Sequence, residues 1–251
     1  MMGNPLVSIV IPMYNCKKFI FDTVQSILDQ TYNEYEAILV DDMSTDGTVD
    51  FIRQHIDSDD RFSIIESVSN DGAAASRNKG IEAARGKYIA FLDSDDIWHE
   101  DKLERQAEFM EKNGFAFTYT NYVKVDEEGD DLNQKVESPE SVDYKKMLRA
   151  NFIGCSTVMF NQEMLGKVFM PPIRKRQDYG MWLEILKRTD CGHCLEEYLM
   201  KYRVRTDSVS SNKLALVKYN WSLFREIEGL GFVKSLICLI SNIFYKLFIK
   251  R

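Results

Sequence analysis

The chain lacks the glycine loops that usually cradle phosphate. No G-x-G-x-x-G follows its first apolar run, and no G-x-x-x-x-G-K-[ST] occurs anywhere. Dinucleotide-binding and P-loop readings therefore lose their defining element. Histidine is scarce, and His55, His99 and His193 share no spacing. Cysteine is sparse and odd in number, at Cys16, Cys155, Cys191, Cys194 and Cys238. Irregular spacing of that kind suits reduced thiols rather than a disulfide framework. Cys191-Gly192-His193-Cys194 has half the pattern of a zinc knuckle, but a structural zinc needs four ligands and no second cysteine pair exists. Positive charge is in deficit, with a formal net charge of −7, which argues against a general nucleic-acid binder. The Met-Met-Gly-Asn-Pro start has no basic n-region and no apolar h-region, so no secretory signal is expected and the cytoplasm is. Internal repeats, low-complexity tracts and Pro/Gly/Ser-rich linkers are also missing. One large domain, or one with a small appendage, is the expected organisation for 251 residues.

What the chain does have is acid at the ends of apolar runs. Phe91-Leu92-Asp93-Ser94-Asp95-Asp96 places three carboxylates directly after Tyr88-Ile89-Ala90-Phe91-Leu92. A short apolar run bounded by Gly86 and by acids reads as a buried strand. In an open α/β sheet, ligands bind outside the carboxyl ends of such strands. Closely spaced carboxylates repel unless a cation neutralises them, and hard oxygen ligands favour magnesium or manganese beside substrate phosphates. A bare Asp-x-Asp could also be a solvated turn. A second delivery lifts it above that reading, because the strand Ala37-Ile38-Leu39-Val40 runs into Asp41-Asp42.

Patterning predicts further elements. Val7 to Pro12 reads as a strand that Pro12 ends, and residues 16–30 as a helix with Phe19, Ile20, Val24, Ile27 and Leu28 on one face. A helix is expected after Gly47, a strand at Phe62-Ser63-Ile64-Ile65, and an Ala-rich helix over 72–84 in which Gly80 is a weak point. A helix over 100–112 follows the acids. Strands alternating with helices imply a mostly parallel sheet with right-handed crossovers. Beyond residue 112 the pattern loosens. Phe115 to Val125 reads as one long strand or a pair, Asp126 to Asp131 as a solvated acidic turn, and 141–150 and 178–188 as helices.

Several motifs in order then carry a resemblance. They are Pro12-Met13-Tyr14-Asn15; Leu28-Asp29-Gln30-Thr31-Tyr32; Val40-Asp41-Asp42 through Thr48; Gly72-Ala73-Ala74-Ala75-Ser76-Arg77-Asn78-Lys79-Gly80; and Gly86 through Asp96. Over residues 5–112 the chain resembles a family 2 glycosyltransferase with the GT-A fold. Asn151 through Val158, Ile173 through Leu183, and Tyr202-Arg203-Val204-Arg205 with Ser208-Val209-Ser210 resemble the subgroup that builds bacterial teichuronic acid, capsule and O-antigen chains.

The resemblance implies a Rossmann-like, mostly parallel sheet flanked by helices, a nucleotide-sugar donor with UDP-sugar the expected class, a manganese or magnesium ion, and inversion at the anomeric carbon. It implies a saccharide acceptor, in this subgroup a lipid-linked one. Pro12, Tyr14 and Asn15 match the family's first nucleotide contact. Asp42 matches the acid that holds the base or ribose, and Arg77 a basic residue near the nucleotide. Asp93 and Asp95 match the Asp-x-Asp motif, with Asp95 the better candidate for direct metal ligation. Asp178 matches the catalytic base, with Gln177 standing where the family usually has another acid. Residues 1–112 then form the nucleotide-sugar half, 113–215 the acceptor half of the same domain, and 216–251 a C-terminal helical segment.

Each residue also has a plainer reading. Tyr14 could be a core aromatic, and Asp42 could cap the turn at Ser44-Thr45. Arg77 could pair with Glu82 or an exposed acid, and Asp178 could be a helix-start acid favoured by the dipole. Arg174, Lys175 and Arg176 form a basic cluster that could meet diphosphate, acceptor or solvent. Two other functions compete: a nucleotidyltransferase, which would show a basic Gly-rich loop early in the chain, and a nucleotide-sugar-binding module without turnover.

Residues 232–251 carry a separate signal. Phe232, Val233, Leu236, Ile237, Ile240, Ile243, Phe244, Leu247 and Phe248 recur at helical spacing, interrupted by Lys234 and Lys246. A membrane-spanning helix needs about 20 predominantly apolar residues. A basic amphipathic helix lying on the inner face of the cytoplasmic membrane fits better, and a helix packed on the protein itself fits equally.

Overall fold

The computed structural model describes residues 6–205 and 213–245. The N-terminal half alternates strands and helices: β1 (Val7–Met13), α1 (Ile20–Leu28), β2 (Tyr35–Asp41), α2 (Thr48–Ile56), β3 (Phe62–Glu66), α3 (Ala73–Ala83) and β4 (Tyr88–Phe91). All pairings among these strands are parallel, in the order β3-β2-β1-β4. β1 and β2 are buried along their whole length, as strands covered on both faces must be. Val7, Ile9, Ile11 and Met13 face the core layer of α1 and α2, while Val10 faces that of α3. Gly80 belongs to the second contact. A Cβ there would stand 2.4 Å from Val10 Cγ1, so the glycine lets α3 lie directly on β1.

Pro12 does not end β1. It pairs with Val40 inside the strand. Val7 donates to Glu34 on the β2 side, whereas the carbonyls of Leu6 and Val10 accept from Tyr88 and Leu92 on the β4 side. Residue 12 therefore aims its missing N–H toward β4, whose pairing with β1 stops at Val10–Phe91. No ladder bond is lost, which is why proline is tolerated.

The second half carries more strand than its sequence suggests. It comprises β5 (Ile97–Trp98), α4 (Lys102–Asn113), β6 (Phe117–Val125), β7 (Asp131–Val136), β8 (Ser141–Val142), α5 (Tyr144–Met147), β9 (Met159–Asn161), α6 (Gln162–Leu165), α7 (Gln177–Arg188) and β10 (Gly192–Arg203). The sheet continues from β4 through β9, β6, β10 and β5, with β7 on β6 and β8 on β10. Only β6–β10 is parallel here; the other pairs are antiparallel. The helix expected over 141–150 shrinks to the single turn of α5. Of the acidic run 126–131, residues 126–130 are the turn between β6 and β7, tied by Asp126 Oδ1 to the N–H groups of Glu128 and Asp130, and Asp131 opens β7.

α7 is anchored by Trp182, which is fully buried against Phe91 of β4 and Phe117 of β6. Its first turn is thereby fixed near the carboxyl end of β4. After β10 come α8 (Lys213–Ser222), a π-turn over Leu223–Ile227 and α9 (Phe232–Phe244). α9 presents an unusual face inward. Ser235, Cys238 and Asn242 are buried, and Asn242 Nδ2 donates to the Leu148 carbonyl at 3.1 Å. Phe232, Val233, Ile237, Ile240 and Phe244 are more than half exposed. Among the described residues no helix is long and apolar enough to cross a membrane.

Candidate active site

The chain reverses direction across β1: β2 lies on one side and β4 on the other, both parallel to it. A crevice opens outside the strand ends at such a point. Three loops reach it, after β1, β2 and β4.

The first two loops are laced together. Asn15 adopts a left-handed conformation with φ 46°, its N–H donates to Ser44 Oγ at 2.9 Å, and its Oδ1 accepts from the Thr45 N–H at 2.8 Å. Tyr14, by contrast, stands 53% exposed at the end of β1. Asp42 is buried, and its two oxygens accept from the N–H groups of Asp71 and Gly72 at 2.9 and 2.8 Å. It caps the turn that opens α3, while the turn at Ser44 is capped by Asp41 instead.

The acid loop after β4 is held from below and from both sides. Ser156 lies in a single helical turn, Cys155–Thr157, under the loop. Its hydroxyl donates to Asp96 Oδ2 at 2.6 Å and accepts from the Asp93 N–H at 3.0 Å. Asp96 Oδ1 accepts from the Arg203 N–H at 3.2 Å. The guanidinium of Arg203 donates to the Asp95 carbonyl at 3.0 Å and to Asp22 Oδ2 at 2.8 Å. Burial first, and then the charges of Asp93 and Asp95, push the Asp96 carboxyl well above the usual range. Asp95 is raised by its own burial and by Asp93, with Arg205 pulling the other way. Such a cluster is relieved by added positive charge.

Arginine supplies part of that charge. Arg77, on α3, forms an ion pair with Asp93 and not with Glu82. It is buried, the charges of Asp93 and Asp178 both act on it, and its pKa is raised despite burial. Arg205 Nη1 pairs with Asp95 Oδ2 at 3.0 Å. Asp178 sits in the first turn of α7, half-buried, and its Oδ2 accepts from Asn151 Nδ2 at 3.2 Å. Arg77 thus lies in the field of two acids far apart in sequence, Asp93 and Asp178.

Among the described residues no three His, Cys, Asp or Glu side chains are grouped to hold a metal ion. Asp93 and Asp95 remain as a hard-oxygen pair. Magnesium and manganese commonly bind through one or two carboxylates with phosphate oxygens and water completing the shell, so the pair fits either ion in the presence of a diphosphate. His193 and Cys194 lie elsewhere: the imidazole stacks on Phe115 at 3.7 Å and the thiol is buried in β10.

Sequence reading missed Asp96, Asn151, Ser156, Arg203 and Arg205 as site residues. The last four stand inside matched motifs, but nothing in their spacing reveals that they converge on the acid loop and the start of α7. The stretch Ser208-Val209-Ser210 falls outside the described residues.

Comparison with known proteins matches residues 8–169 to the model of glycosyl transferase family 2. TuaG of Bacillus subtilis (strain 168), assigned to teichuronic acid biosynthesis, is 44% identical over 95% of this chain and 94% of its own. WfgD of Escherichia coli, a UDP-Glc:alpha-D-GlcNAc-diphosphoundecaprenol beta-1,3-glucosyltransferase, is 37% identical over 88% of this chain and 86% of its own. Among solved structures, TarS of S. aureus (residues 1–349, with UDP-GlcNAc) superposes with a TM-score of 0.76 at 18% identity, covering 96% of this chain and 73% of that one. The mannosyltransferase PcManGT of Pyrobaculum calidifontis, with GDP-Man and Mn2+, superposes with a TM-score of 0.72 at 17% identity, covering 98% and 71%. These two establish the GT-A fold, and the family match with the two relatives establishes the class: the chain belongs to glycosyl transferase family 2 and is a glycosyltransferase.

Proposed function

We propose that this enzyme moves a sugar, with inversion, from a UDP-sugar to a lipid-linked saccharide acceptor in bacterial cell-surface polysaccharide synthesis. The observation that carries the reading is that Arg77 pairs with Asp93 while the charge of Asp178 also acts on it, which supports reading the acid loop and the start of α7 as one site. WfgD, which takes UDP-Glc and a diphosphoundecaprenol-linked acceptor, supports the substrate classes.

Residues 1–112 form the donor half in this reading, and 113–215 the acceptor half. Tyr14 is exposed where a base can stack on it, with Asn15 and Asp42 shaping the adjacent loops. Pro12, near the end of β1, is read with them as part of the first nucleotide contact. Asp93 and Asp95 would hold manganese or magnesium against the donor diphosphate. When bound, the ion supplies Lewis-acid neutralisation of charge on the leaving group.

Asp178 takes the proton of the acceptor hydroxyl, its carboxylate oriented by the Asn151 amide that donates to Oδ2. The hydroxyl oxygen bonds to the anomeric carbon from the face opposite the diphosphate. The bond from that carbon to the phosphate oxygen breaks, and its electron pair leaves with the diphosphate. Attack from the opposite face inverts the centre. We place the enzyme on the inner face of the cytoplasmic membrane, held by the exposed side of α9, where lipid-linked acceptors are found.

The test is a transfer assay with UDP-sugars, Mn2+ or Mg2+, and a diphospholipid-linked saccharide, run on wild type and Asp178→Asn. Wild type is expected to release UDP and extend the acceptor only with metal. Asp178→Asn is expected to bind UDP–Mn2+ as wild type does and to lose about a hundred- to ten-thousand-fold in transfer. Normal turnover in the variant would remove Asp178 from the base role. UDP-sugar breakdown without metal would remove the metal from the scheme.

A further inference from the structure

Arg203 and Arg205 leave β10 toward the same acid loop, yet they are used differently. Arg203 is locked: its side chain is 2% exposed and is bonded to Asp22, to the Asp95 carbonyl and to the Glu127 carbonyl. None of those contacts uses a carboxylate assigned to the metal. Arg205 is one-third exposed, and its guanidinium rests 4.8 Å from the ring centre of Phe19. Among the described residues it donates a hydrogen bond to Asp95 Oδ2 at 3.0 Å. That carboxylate is the one the family resemblance makes the better candidate for metal ligation.

Two cations cannot share Asp95 without cost. An arginine stays charged at any working pH, so it cannot yield by losing a proton. It can only move. Its planar fork fits phosphate oxygens as well as carboxylate oxygens. A nucleoside diphosphate arriving with its metal brings the replacement anion to the same place. We propose that Arg205 is an exchangeable counter-ion of the donor site: it holds Asp95 in the empty enzyme and passes to the donor diphosphate when metal and nucleotide bind together. This rests on the reading of Asp95 as a metal ligand.

The exchange has a thermodynamic consequence. Metal alone must displace Arg205 from its carboxylate without bringing a replacement anion, so metal binds weakly by itself. Metal and nucleotide together satisfy both partners, so each strengthens the other by the same factor. The arrangement couples loading of the ion to arrival of the donor.

The experiment is calorimetry of the full chain with Mn2+ alone, UDP alone, and UDP in saturating Mn2+, for wild type, Arg205→Gln and Arg205→Lys. Arg205→Gln is expected to bind Mn2+ alone about three- to tenfold more tightly, because the competing charge is gone, and UDP–Mn2+ about tenfold more weakly, because the diphosphate loses a charged fork. Arg205→Lys is expected to keep the weak binding of Mn2+ alone and to lose part of the UDP–Mn2+ affinity. A merely structural arginine would weaken both ligands or lower stability without tightening the metal. Unchanged or weaker Mn2+ binding in Arg205→Gln overturns the proposal, as does unchanged UDP–Mn2+ affinity. If Arg205→Gln does not fold, Arg205→Lys decides alone: wild-type UDP–Mn2+ affinity in that variant overturns the exchange. Wild type that binds UDP equally with and without Mn2+ overturns the metal reading itself, which separates the two failures.

Discussion

At Ser156 one buried hydroxyl serves two acids. It satisfies the backbone of Asp93 and the carboxylate of Asp96, and it is 1% exposed. Removing it leaves a part-buried N–H and a buried carboxylate oxygen each short of a partner, which costs about 1–3 kcal/mol for a fully buried group left unrelieved. Ser156→Ala is therefore expected to lower unfolding stability by a few kcal/mol and to raise the Mn2+ concentration needed for half-maximal transfer. Urea unfolding and a metal titration of activity read the two effects. A variant with wild-type stability and metal demand would show that the arginines hold the loop without Ser156. The acids themselves stood out in the sequence, because two apolar runs, ending at Asp42 and Asp93, deliver carboxylates to the same sheet edge. Their keepers did not. Ser156 and Arg203 are ordinary residues until β9 and β10 bring them under the loop.

Elements show the same division. β1, β2 and β4 were legible because strands buried on both faces read as continuous apolar runs. β10 was not, although it is 12 residues long. Its register against β6 shifts between Leu195 and Tyr198 and again between Tyr198 and Lys201. The second shift resets the inside–outside phase, so Leu199 and Met200 are both buried and strict alternation is broken in the sequence. α4 was expected, but not what it buries. Lys102 in its first turn is fully buried, its Nζ 2.6 Å from Gln106 Oε1 and 4.2 Å from the Trp98 ring centre. Both neighbours favour the ammonium, yet burial pulls its pKa down to about 7. In the unfolded chain the value is about 10.4, so above pH 7 the unfolded state binds the extra proton. Stability from this group therefore rises with pH and is lost as pH falls through about 7. The slope reaches at most about 1.4 kcal/mol per pH unit. Above about pH 8.5 the buried thiols act in the opposite sense, because burial keeps Cys16 and Cys194 protonated in the fold after the unfolded chain has ionised. Urea unfolding at several pH values between 6.5 and 8.5 is expected to show wild type gaining stability and Lys102→Met staying flatter. Parallel curves would mean that Lys102 keeps its proton throughout.

On the scale of the whole molecule, the C-terminal segment tests what periodicity can convey. Helical spacing of apolar residues at 232–244 announced α9, but two packings fitted it equally. The usual outcome buries the apolar stripe. Here the helix docks through Ser235, Cys238 and Asn242, and Asn242 also lies 3.4 Å from the hydroxyl of Tyr179, the residue after Asp178. The opposite face leaves Val233, Leu236, Ile237, Ile240 and Phe244 in solvent beside Lys234. Lys246, Lys250 and Arg251, which the sequence places next to it, fall outside the described residues. A contiguous exposed apolar surface of this kind marks a place of contact with a membrane or another protein. The buried face of α9 is tied to Tyr179 of α7, so the helix is docked on the element that carries the proposed base. Deleting the helix is a poor test, since it would also strip the buried bonds of Asn242. Ile237→Glu with Ile240→Glu alters only residues that are 62% and 58% exposed, so the fold should keep its thermal midpoint. Wild type is expected to sediment with anionic vesicles, the bound fraction falling with salt as cation–lipid attraction of about 1 kcal/mol per charge is screened, and a residue of apolar binding persisting. The double variant is expected to remain in the supernatant while transferring sugar normally to a water-soluble acceptor. Wild-type protein that ignores such vesicles, or a double variant that still sediments, would assign the exposed face of α9 to a protein partner instead.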